Sequence, residues 1–287
     1  MYAITGITGQ VGGATAQALL DAGHTVRAVV RHADKGQPWA DKGCEIAVAD
    51  LTDVAALTAA FTGVEGVFLM TPPNYDPEPG FPETRANLAG ILTALTAARP
   101  AKLVFLSTVG AQAEQPNLLN NSKITEDGLR TLPLPVAFLR AAWFMENAAW
   151  DVAAAKTGTV PSFLQPLDHP IPMVATADIG RTAADLLGES WSGTRIVELE
   201  GPRRYGANDI AAGFATAFGH PVAMQEVPHE TWESLFRAQG MKNPLPRIRM
   251  IDGFNEGWID FEGGDAQKRI GRITLETVLQ GLVDAGR

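Results

Sequence analysis

The sequence has little of what membrane-embedded or disulfide-stabilised proteins need. Its single cysteine, Cys44, excludes a disulfide within the chain, which fits a reducing compartment. No run of about 18 apolar residues is present. The N-terminus, MYAITGITGQ, also lacks the charged and apolar regions of a signal peptide. We therefore expect a cytoplasmic protein with no membrane partner.

Basic charge is scarce as well. The chain has 23 Lys and Arg against 32 Asp and Glu, for a net charge of -9. Nonspecific binding to nucleic acid requires clustered Lys and Arg, so no nucleic-acid partner is expected. The five histidines show no spacing typical of metal ligands, and we expect no metal site.

Short apolar segments alternate with amphipathic ones over the first 140 residues. Helices are predicted after the first strand, where Gly23 ends the pattern, and after the third, with Thr52 or Asp53 as N-cap. Two more are predicted over residues 84–98 and 124–130. The predicted strands cover residues 2–5, 25–30, 45–49, 66–70, 102–107 and 136–139. This alternation predicts an α/β protein with a Rossmann-type, doubly wound parallel sheet.

The pattern loosens after about residue 141, where prolines and glycines become frequent. Helices are predicted over residues 177–187 and 208–218, whereas residues 243–264 have no clear period. We expect a first domain over residues 1–150 and a smaller C-terminal cap over residues 151–287. The boundary stays open, because segments such as 196–199 are candidates to return to the sheet.

The loop after the first predicted strand contains three glycines, Gly6, Gly9 and Gly12, in TGITGQVG. Gly6 permits a tight turn, Gly9 a close approach of the backbone to a pyrophosphate, and Gly12 close packing of the helix on the sheet. The helix N-terminus then offers N–H groups and partial positive charge to phosphates. With Thr8, Gln10 and Val11, this loop predicts a dinucleotide site; the alternative is a tight turn without a ligand.

The end of the second predicted strand indicates which dinucleotide is preferred. An Asp or Glu about 20 residues after the loop is typical of NAD binding, but Arg31 occupies that place. A guanidinium suits a 2′-phosphate, and Lys35 adds a second positive charge. We therefore predict that NADP(H) is preferred over NAD(H). The alternative is that Arg31 is a solvated residue at a strand end.

Other strand ends carry further candidates for the dinucleotide site. Asp50 and Leu51 suit the adenine edge, although Asp50 fits equally well as a helix cap. Thr71 and Pro72 begin a turn that would lie beneath a ribose. Ser107 ends the fifth strand, where its hydroxyl either faces the nicotinamide or is satisfied by the backbone.

Together these segments resemble the NmrA-like group of atypical short-chain dehydrogenases/reductases, which includes bacterial NADPH:quinone oxidoreductases and triphenylmethane reductases. The resemblance spans nearly the whole chain. The glycine loop alone is common to many families, whereas its combination with LRxxxFxEN is far more specific. The segments that carry the resemblance are ITGITGQVGG at 4–13, VVR at 29–31, ADLTD at 49–53, FLST at 105–108, NSKITE at 121–126, FLRAAWFMEN at 138–147 and ATADIGR at 175–181.

The resemblance implies roles for several residues. Gly6 to Val11 would line the pyrophosphate, and Arg31 would bind the 2′-phosphate. Lys123 matches a lysine that approaches the nicotinamide ribose, with a solvated surface lysine as the alternative. Lys123 and Ser107 are thus the candidate catalytic residues.

The sequence departs from the wider superfamily where proton transfer usually occurs. The position four residues before Lys123 is Leu119 instead of tyrosine, and the family's histidine is replaced by Asn121. Neither side chain titrates near neutrality. Hydride transfer requires only positioning, because the nicotinamide carries the chemistry. An easily reduced acceptor such as a quinone is therefore favoured over a ketone.

An acceptor pocket is predicted around the LRxxxFxEN segment. The resemblance places Phe144 and Asn147 on its pocket side, and Trp143 is a further candidate, although aromatic clusters are as often plain core. Tyr75 is a candidate lid residue in PPNYDPEPGF, unless that loop has no role. Aromatic residues between 254 and 261 suit either substrate closure or a homodimer contact.

Two functions follow from this reading. The first is an NADPH-dependent reductase of a small-molecule acceptor such as a quinone. The second is a non-catalytic sensor that binds NADP(H) and acts through a protein partner, which the absent tyrosine and histidine would suit. The sensor requires different affinities for the oxidised and reduced cofactor. The complete nucleotide site favours the reductase.

Overall fold

The computed structural model describes residues 1–286, and a large parallel sheet is its central feature. Two small two-stranded sheets accompany it. The strands in chain order are β1 (Tyr2–Ile4), β2 (Val26–Val30), β3 (Glu45–Val48), β4 (Gly66–Leu69), β5 (Lys102–Thr108), β6 (Val136–Ala141), β7 (Trp143–Phe144), β8 (Thr159–Ser162), β9 (Met173–Val174), β10 (Thr194–Glu200), β11 (Ala223–Glu226) and β12 (Gln267–Ile270).

The large sheet has the order β12-β10-β6-β5-β4-β1-β2-β3, and every neighbouring pair is parallel. The first six strands thus follow the order 3-2-1-4-5-6 of dinucleotide-binding sheets. The chain reverses direction across the sheet between β1 and β4, where ligands of such sheets bind. The predicted doubly wound parallel sheet is confirmed.

Helices cover both faces of this sheet. The α-helices are α1 (Gln10–Asp21), α2 (Gln37–Ala40), α3 (Val54–Phe61), α4 (Pro82–Ala98), α5 (Asn120–Leu129), α6 (Val152–Ala155), α7 (Thr176–Gly188), α8 (Ala207–Phe218), α9 (Trp232–Ala238), α10 (Leu245–Glu256) and α11 (Leu275–Ala285). Short 3-10 helices lie at Ala33–Gly36, Met145–Asp151 and His229–Thr231.

Each face of the sheet buries its own hydrophobic core. Tyr2 and Ile4 of β1 belong to the core beneath α1 and α7, whereas Ala3 between them belongs to the core beneath α3, α4 and α5. Side chains of a strand alternate between faces, so a strand covered on both sides is apolar throughout. This explains why the six N-terminal strands could be predicted from short apolar runs.

The C-terminal part of the chain contributes to the same sheet. Strand β10 pairs with β6, as residues 196–199 suggested, and β12 extends the sheet by one further strand that was not predicted. The sequence of β12, QKRI, lacks an apolar run because this edge strand is largely exposed. A third core is formed by the C-terminal helices, among which Phe214, Phe254 and Leu279 are buried.

Residues 243–264, for which no element was predicted, contain helix α10. Pro244 and Pro246 at its start and Asp252–Gly253 within it interrupt the apolar pattern. The helix nevertheless buries Ile248, Ile251 and Phe254. Tertiary packing here outweighs a weak local signal. Among residues 1–286, no helix is long and apolar enough to span a bilayer, and no group of three His, Cys, Asp or Glu is arranged to hold a metal.

Candidate functional site

The loop between β1 and α1 presents its backbone to solvent at the switch point of the sheet. Gly6 has a φ of +62°, and Gly6, Thr8, Gly9 and Gln10 are all exposed. The Thr5 hydroxyl fixes the base of this loop, because it accepts a hydrogen bond of 2.8 Å from the amide of Met70 at the end of β4. The first N–H groups of α1 have no partner within the helix, so they are available to an anion.

Gly12 allows a close approach at the start of α1. A Cβ atom at this position would lie 2.3 Å from the carbonyl oxygen of Gly6. Such a contact is not tolerated, so Gly12 lets α1 pack closely against the backbone of the loop that precedes it. A Cβ on Gly6 would similarly lie 2.4 Å from the sulfur of Met70. The glycines therefore shape a tight, exposed cradle.

The next two strand ends bring together positive charge and an ordered carboxylate. Arg31 follows β2, Lys35 lies in the adjoining 3-10 helix, and both are exposed. Asp50 follows β3 and accepts hydrogen bonds from the hydroxyl (2.7 Å) and amide (3.0 Å) of Thr52. These bonds, and to a lesser degree the charge of Arg31, hold the pKa of Asp50 below its usual value.

Asp50 does not cap a helix, so this alternative is wrong. The N-cap of α3 is Asp53, which accepts a hydrogen bond of 3.0 Å from the amide of Ala56. The carboxylate of Asp50 instead closes a local turn before the helix and stays exposed beside Leu51. Both residues remain placed at the sheet edge where an adenine is predicted to bind.

Thr71 and Pro72, after β4, line a small cavity together with Asn121 and Thr125 of α5. The turn predicted to lie beneath a ribose and the helix that carries Lys123 therefore face one another. Lys123 itself is exposed, and its ammonium group lies 3.0 Å from the Asp127 carboxylate, one turn further along α5. Leu119 packs against the C-terminal core, in accordance with its apolar character.

Ser107 is part of a buried polar network. Its hydroxyl donates a hydrogen bond of 2.6 Å to Glu126 of α5. The alternative that the backbone satisfies this hydroxyl is therefore wrong. Arg140 of β6 donates to both oxygens of the same carboxylate, at 2.9 and 2.8 Å, and pairs with Glu262 at 2.5 Å. Burial alone would lower the pKa of Arg140, but Glu126 and Glu262 raise it above its ordinary value. This network fixes α5 on the carboxyl end of β5 and β6.

A second polar link joins the LRxxxFxEN segment to the glycine loop. Glu146 accepts hydrogen bonds from the amide of Thr176 (2.9 Å) and from its hydroxyl (2.7 Å) at the start of α7. The Thr176 hydroxyl also lies 3.3 Å from the Gln10 side-chain oxygen. The acid of the segment therefore positions α7 beside the phosphate cradle.

The residues predicted to form the acceptor pocket divide between two faces of β7. Successive strand residues point to opposite sides. Trp143 packs against the C-terminal core, with its ring 5.2 Å from that of Phe254, whereas Phe144 packs against the core beneath α1 and α7. Asn147 is partly buried in the 3-10 helix that follows. Trp143 and Phe144 therefore pack against different cores and do not line one pocket together.

Tyr75 lies on the segment after β4 and packs edge-on against Trp150, with ring centroids 6.1 Å apart. This segment is anchored to the C-terminal part by Asp76. The Asp76 carboxylate accepts hydrogen bonds from the amides of Lys242 (2.8 Å) and Asn243 (2.6 Å), and these bonds lower its pKa. The loop around Tyr75 is thus held in place by named contacts.

Several of these residues escaped prediction from the sequence. Glu126 and Glu146 lie inside the recognised segments, but their partners are distant in the chain. One available signal was Arg140, a charged residue within the otherwise apolar strand VAFLRA. A buried charge requires a partner, so this arginine pointed to an unseen carboxylate.

The residues present fit a dinucleotide. A tight cradle of exposed amides begins α1, two cations follow β2, and the cavity after β4 is bordered by α5. In such a site the glycine loop would hold the pyrophosphate, and Arg31 and Lys35 a 2′-phosphate. A bound nicotinamide would supply hydride chemistry. The residues of the chain would then bind, orient and exclude water.

Comparisons with known proteins agree with this arrangement. The chain is 24% identical over 263 residues to the NAD(P)H azoreductase of Xenophilus azovorans, covering 89% of this chain and 85% of the relative. It is 27% identical over 248 residues to quinone oxidoreductase 2 of Escherichia coli K12, covering 85% and 84%. The triphenylmethane reductase of Citrobacter sp., solved in complex with NADP(H), matches with a TM-score of 0.82 and 24% identity, over 98% of this chain and 100% of that one.

At this identity the structural match establishes the fold alone. The sequence model of the NmrA-like family, however, matches residues 2–261, which is nearly the whole chain. The glycine loop, the buried Arg140 and the hydrogen bonds between Glu146 and Thr176 lie within this range. The chain belongs to the NmrA-like family.

Proposed function

We propose that this protein is an NADPH-dependent reductase that transfers hydride to a small electrophilic acceptor such as a quinone. The observation that carries the proposal is the exposed glycine cradle at the switch point, next to a strand end that bears Arg31 and no acid. The names of two relatives, an NAD(P)H azoreductase and a quinone oxidoreductase, support the same reaction class.

The preference for NADP(H) over NAD(H) rests on charge. Arg31 is exposed at the end of β2, and Lys35 lies four residues further on. A guanidinium binds a phosphate with two parallel hydrogen bonds, whereas an NAD site places a carboxylate there for the ribose hydroxyls. Asp50 is already engaged by Thr52 and lies after β3, so it does not take that place.

The choice of acceptor depends on which side chains of the site can donate a proton. Lys123 would orient the ribose, and Ser107 presents a hydroxyl whose hydrogen is already donated to Glu126. Neither Leu119 nor Asn121 supplies a proton. Reduction of a quinone by hydride adds two electrons and one hydrogen, and the second proton can come from water. A ketone would need an acid beside its oxygen.

The sensor reading is less well supported. The family resemblance permits it and the missing tyrosine and histidine suit it, whereas the relatives that match over most of the chain are named as reductases. A reductase of this kind does not need those two residues if its acceptor is easily reduced. The two readings differ in one measurable property, which is turnover.

The proposal is tested by titrating the purified protein with NADPH and NADP⁺ and then adding menadione. We expect NADPH to bind and to be consumed. Turnover should fall when Phe144→Ala or Asn147→Ala is introduced, if these residues border the acceptor. Tight, state-selective binding with no turnover across a panel of quinones would establish the sensor instead. No binding of either nucleotide would reject the assignment altogether.

A further inference from the structure

Arg247 lies in the first turn of α10, at the edge of the sheet where the candidate site is found. The carbonyl of its neighbour Pro246 accepts a hydrogen bond of 2.9 Å from the amide of Leu118, in the segment that leads to α5. Just before α10, the Asn243 side chain also donates a hydrogen bond of 2.9 Å to the carbonyl of Pro77, two residues after Tyr75. The start of α10, which carries Arg247, therefore adjoins the segments that follow β4 and β5.

No carboxylate neutralises this guanidinium within residues 1–286. Its contacts are the ring of Phe236, 4.6 Å away, and the sulfur of Met241, 3.8 Å away. Burial lowers the pKa of Arg247. Arginine nonetheless remains charged at neutral pH, and positive charge in the first turn of a helix is unfavourable. In a chain with nine more acids than bases, an unpaired and half-buried arginine calls for an anion from outside.

The hydrogen bonds of Asp76 with the amides of Lys242 and Asn243 bring an exposed aromatic pair close to the start of α10. Tyr75 and Trp150 are 46% and 66% exposed, which is unusual for rings of this size, and they contact one another. They come from the segment after β4 and from the 3-10 helix that also contains Asn147, so Trp150 adjoins a predicted acceptor residue. Exposed aromatic faces of this kind stack on flat ligands.

We propose that the acceptor is an aromatic compound with an anionic substituent, which Arg247 binds while Tyr75 and Trp150 contact its ring. This inference rests on the proposed reductase function, since the ligand is a hydride acceptor only if the protein is a reductase. The anion site itself can be tested without turnover. Sulfonate and carboxylate groups match the guanidinium geometry. Arg247 would thus determine acceptor specificity without taking part in hydride transfer.

The first test measures binding of a matched pair of non-reducible ligands. Naphthalene-2-sulfonate and the neutral naphthalene-2-sulfonamide are titrated by calorimetry into protein saturated with NADP⁺. We expect the sulfonate to bind about tenfold or more tightly than the sulfonamide, as one charge-assisted contact allows. Arg247→Gln should abolish this preference, and Arg247→Lys should restore part of it.

Arg249→Gln provides the control. It removes one positive charge from the same helix, but Arg249 is paired with Asp252 at 3.4 Å. It should leave the preference for the sulfonate unchanged. If Arg247→Gln and Arg249→Gln weakened the preference for the sulfonate equally, net charge alone would explain it, and the inference would be overturned. A preference that survives in Arg247→Gln would overturn it as well.

The second test separates this inference from the proposed function. Initial rates of NADPH oxidation are compared for 1,2-naphthoquinone-4-sulfonate and menadione. Arg247→Gln should lower kcat/KM for the sulfonate about tenfold and change that for menadione little. If neither quinone is reduced while the sulfonate still binds through Arg247, the reductase assignment fails and the anion site stands. If menadione is reduced and the variant does not discriminate, only the anion site fails.

Discussion

At the scale of single residues, the site is defined by a few charged side chains whose surroundings differ sharply. Arg31 and Lys35 are exposed and free to meet a ligand, whereas Arg140 is buried and fully engaged by two carboxylates. The first pair could be predicted from the sequence, because Arg31 directly follows the second apolar strand and Lys35 lies four residues further on. It could not predict the partners of Arg140, which lie 14 and 122 residues away.

Arg31→Glu tests the preference for NADPH. The change removes a phosphate-binding guanidinium and introduces repulsion, so NADPH binding should weaken by roughly 10- to 100-fold while NADH binding weakens little. Both dissociation constants are measured by nicotinamide fluorescence. Arg99→Glu is the matched control, since this exposed arginine precedes β5 and therefore lies near the amino ends of the strands, opposite the candidate site. Unchanged NADPH affinity in Arg31→Glu would remove the claim.

Asp151 is expected to make stability depend on pH. Burial raises its pKa from 3.8 to about 6, and no opposite charge among residues 1–286 offsets this. Because the folded state holds the proton more tightly, this group stabilises the fold below about pH 4, and the contribution is lost as pH rises through 6. Asp151→Asn should therefore stabilise the protein at pH 7.5, by on the order of 1–2 kcal/mol.

The measurement is urea denaturation of both proteins at pH 4 and pH 7.5. The gain from Asp151→Asn should be present at the higher pH and largely absent at the lower one. Asp21→Asn, which changes an exposed carboxylate at the end of α1, serves as the comparison. A gain that is equal at the two pH values would contradict the assignment to Asp151.

At the scale of elements, prediction succeeded where one local pattern determined the structure. Strands β1, β2, β4, β5 and β6 are short apolar runs because both faces of the sheet are covered there, and Asp53 is an N-cap of the expected kind. Prediction failed at α10, where prolines and Asp252 obscure the buried positions, and at β12, an exposed edge strand. In both cases contacts with distant parts of the chain determine the element.

The position of α5 depends on the buried pair formed by Glu126 and Arg140. Glu126→Ala leaves the buried Arg140 with Glu262 as its remaining carboxylate partner, so the free energy of unfolding should fall by about 3 kcal/mol, the lower end of the range for breaking a buried pair. Thermal and urea denaturation measure this loss. Asp127→Ala is the control on the same helix, since its carboxylate is exposed and forms an ion pair with the accessible side chain of Lys123. A loss below about 1 kcal/mol in Glu126→Ala would show that the pair does not hold the helix.

At the scale of the whole molecule, the C-terminal part is integrated with the nucleotide-binding part. Strands β10 and β12 extend the same sheet, and Glu146 connects the start of α7 with the glycine loop through Thr176. The start of α10, which carries Arg247, contacts Leu118 in the segment that leads to α5. The predicted cofactor and acceptor residues therefore belong to one framework, as positioning of a hydride donor and acceptor requires.

The most direct test of this account is a single turnover. Protein with one equivalent of bound NADPH is mixed rapidly with excess menadione, and the nicotinamide absorbance is followed with NADPH and with NADPH deuterated at the transferred position. We expect complete loss of the absorbance and a slower decay with the deuterated cofactor. Bound NADPH whose absorbance persists with menadione and with the sulfonated quinone would contradict it.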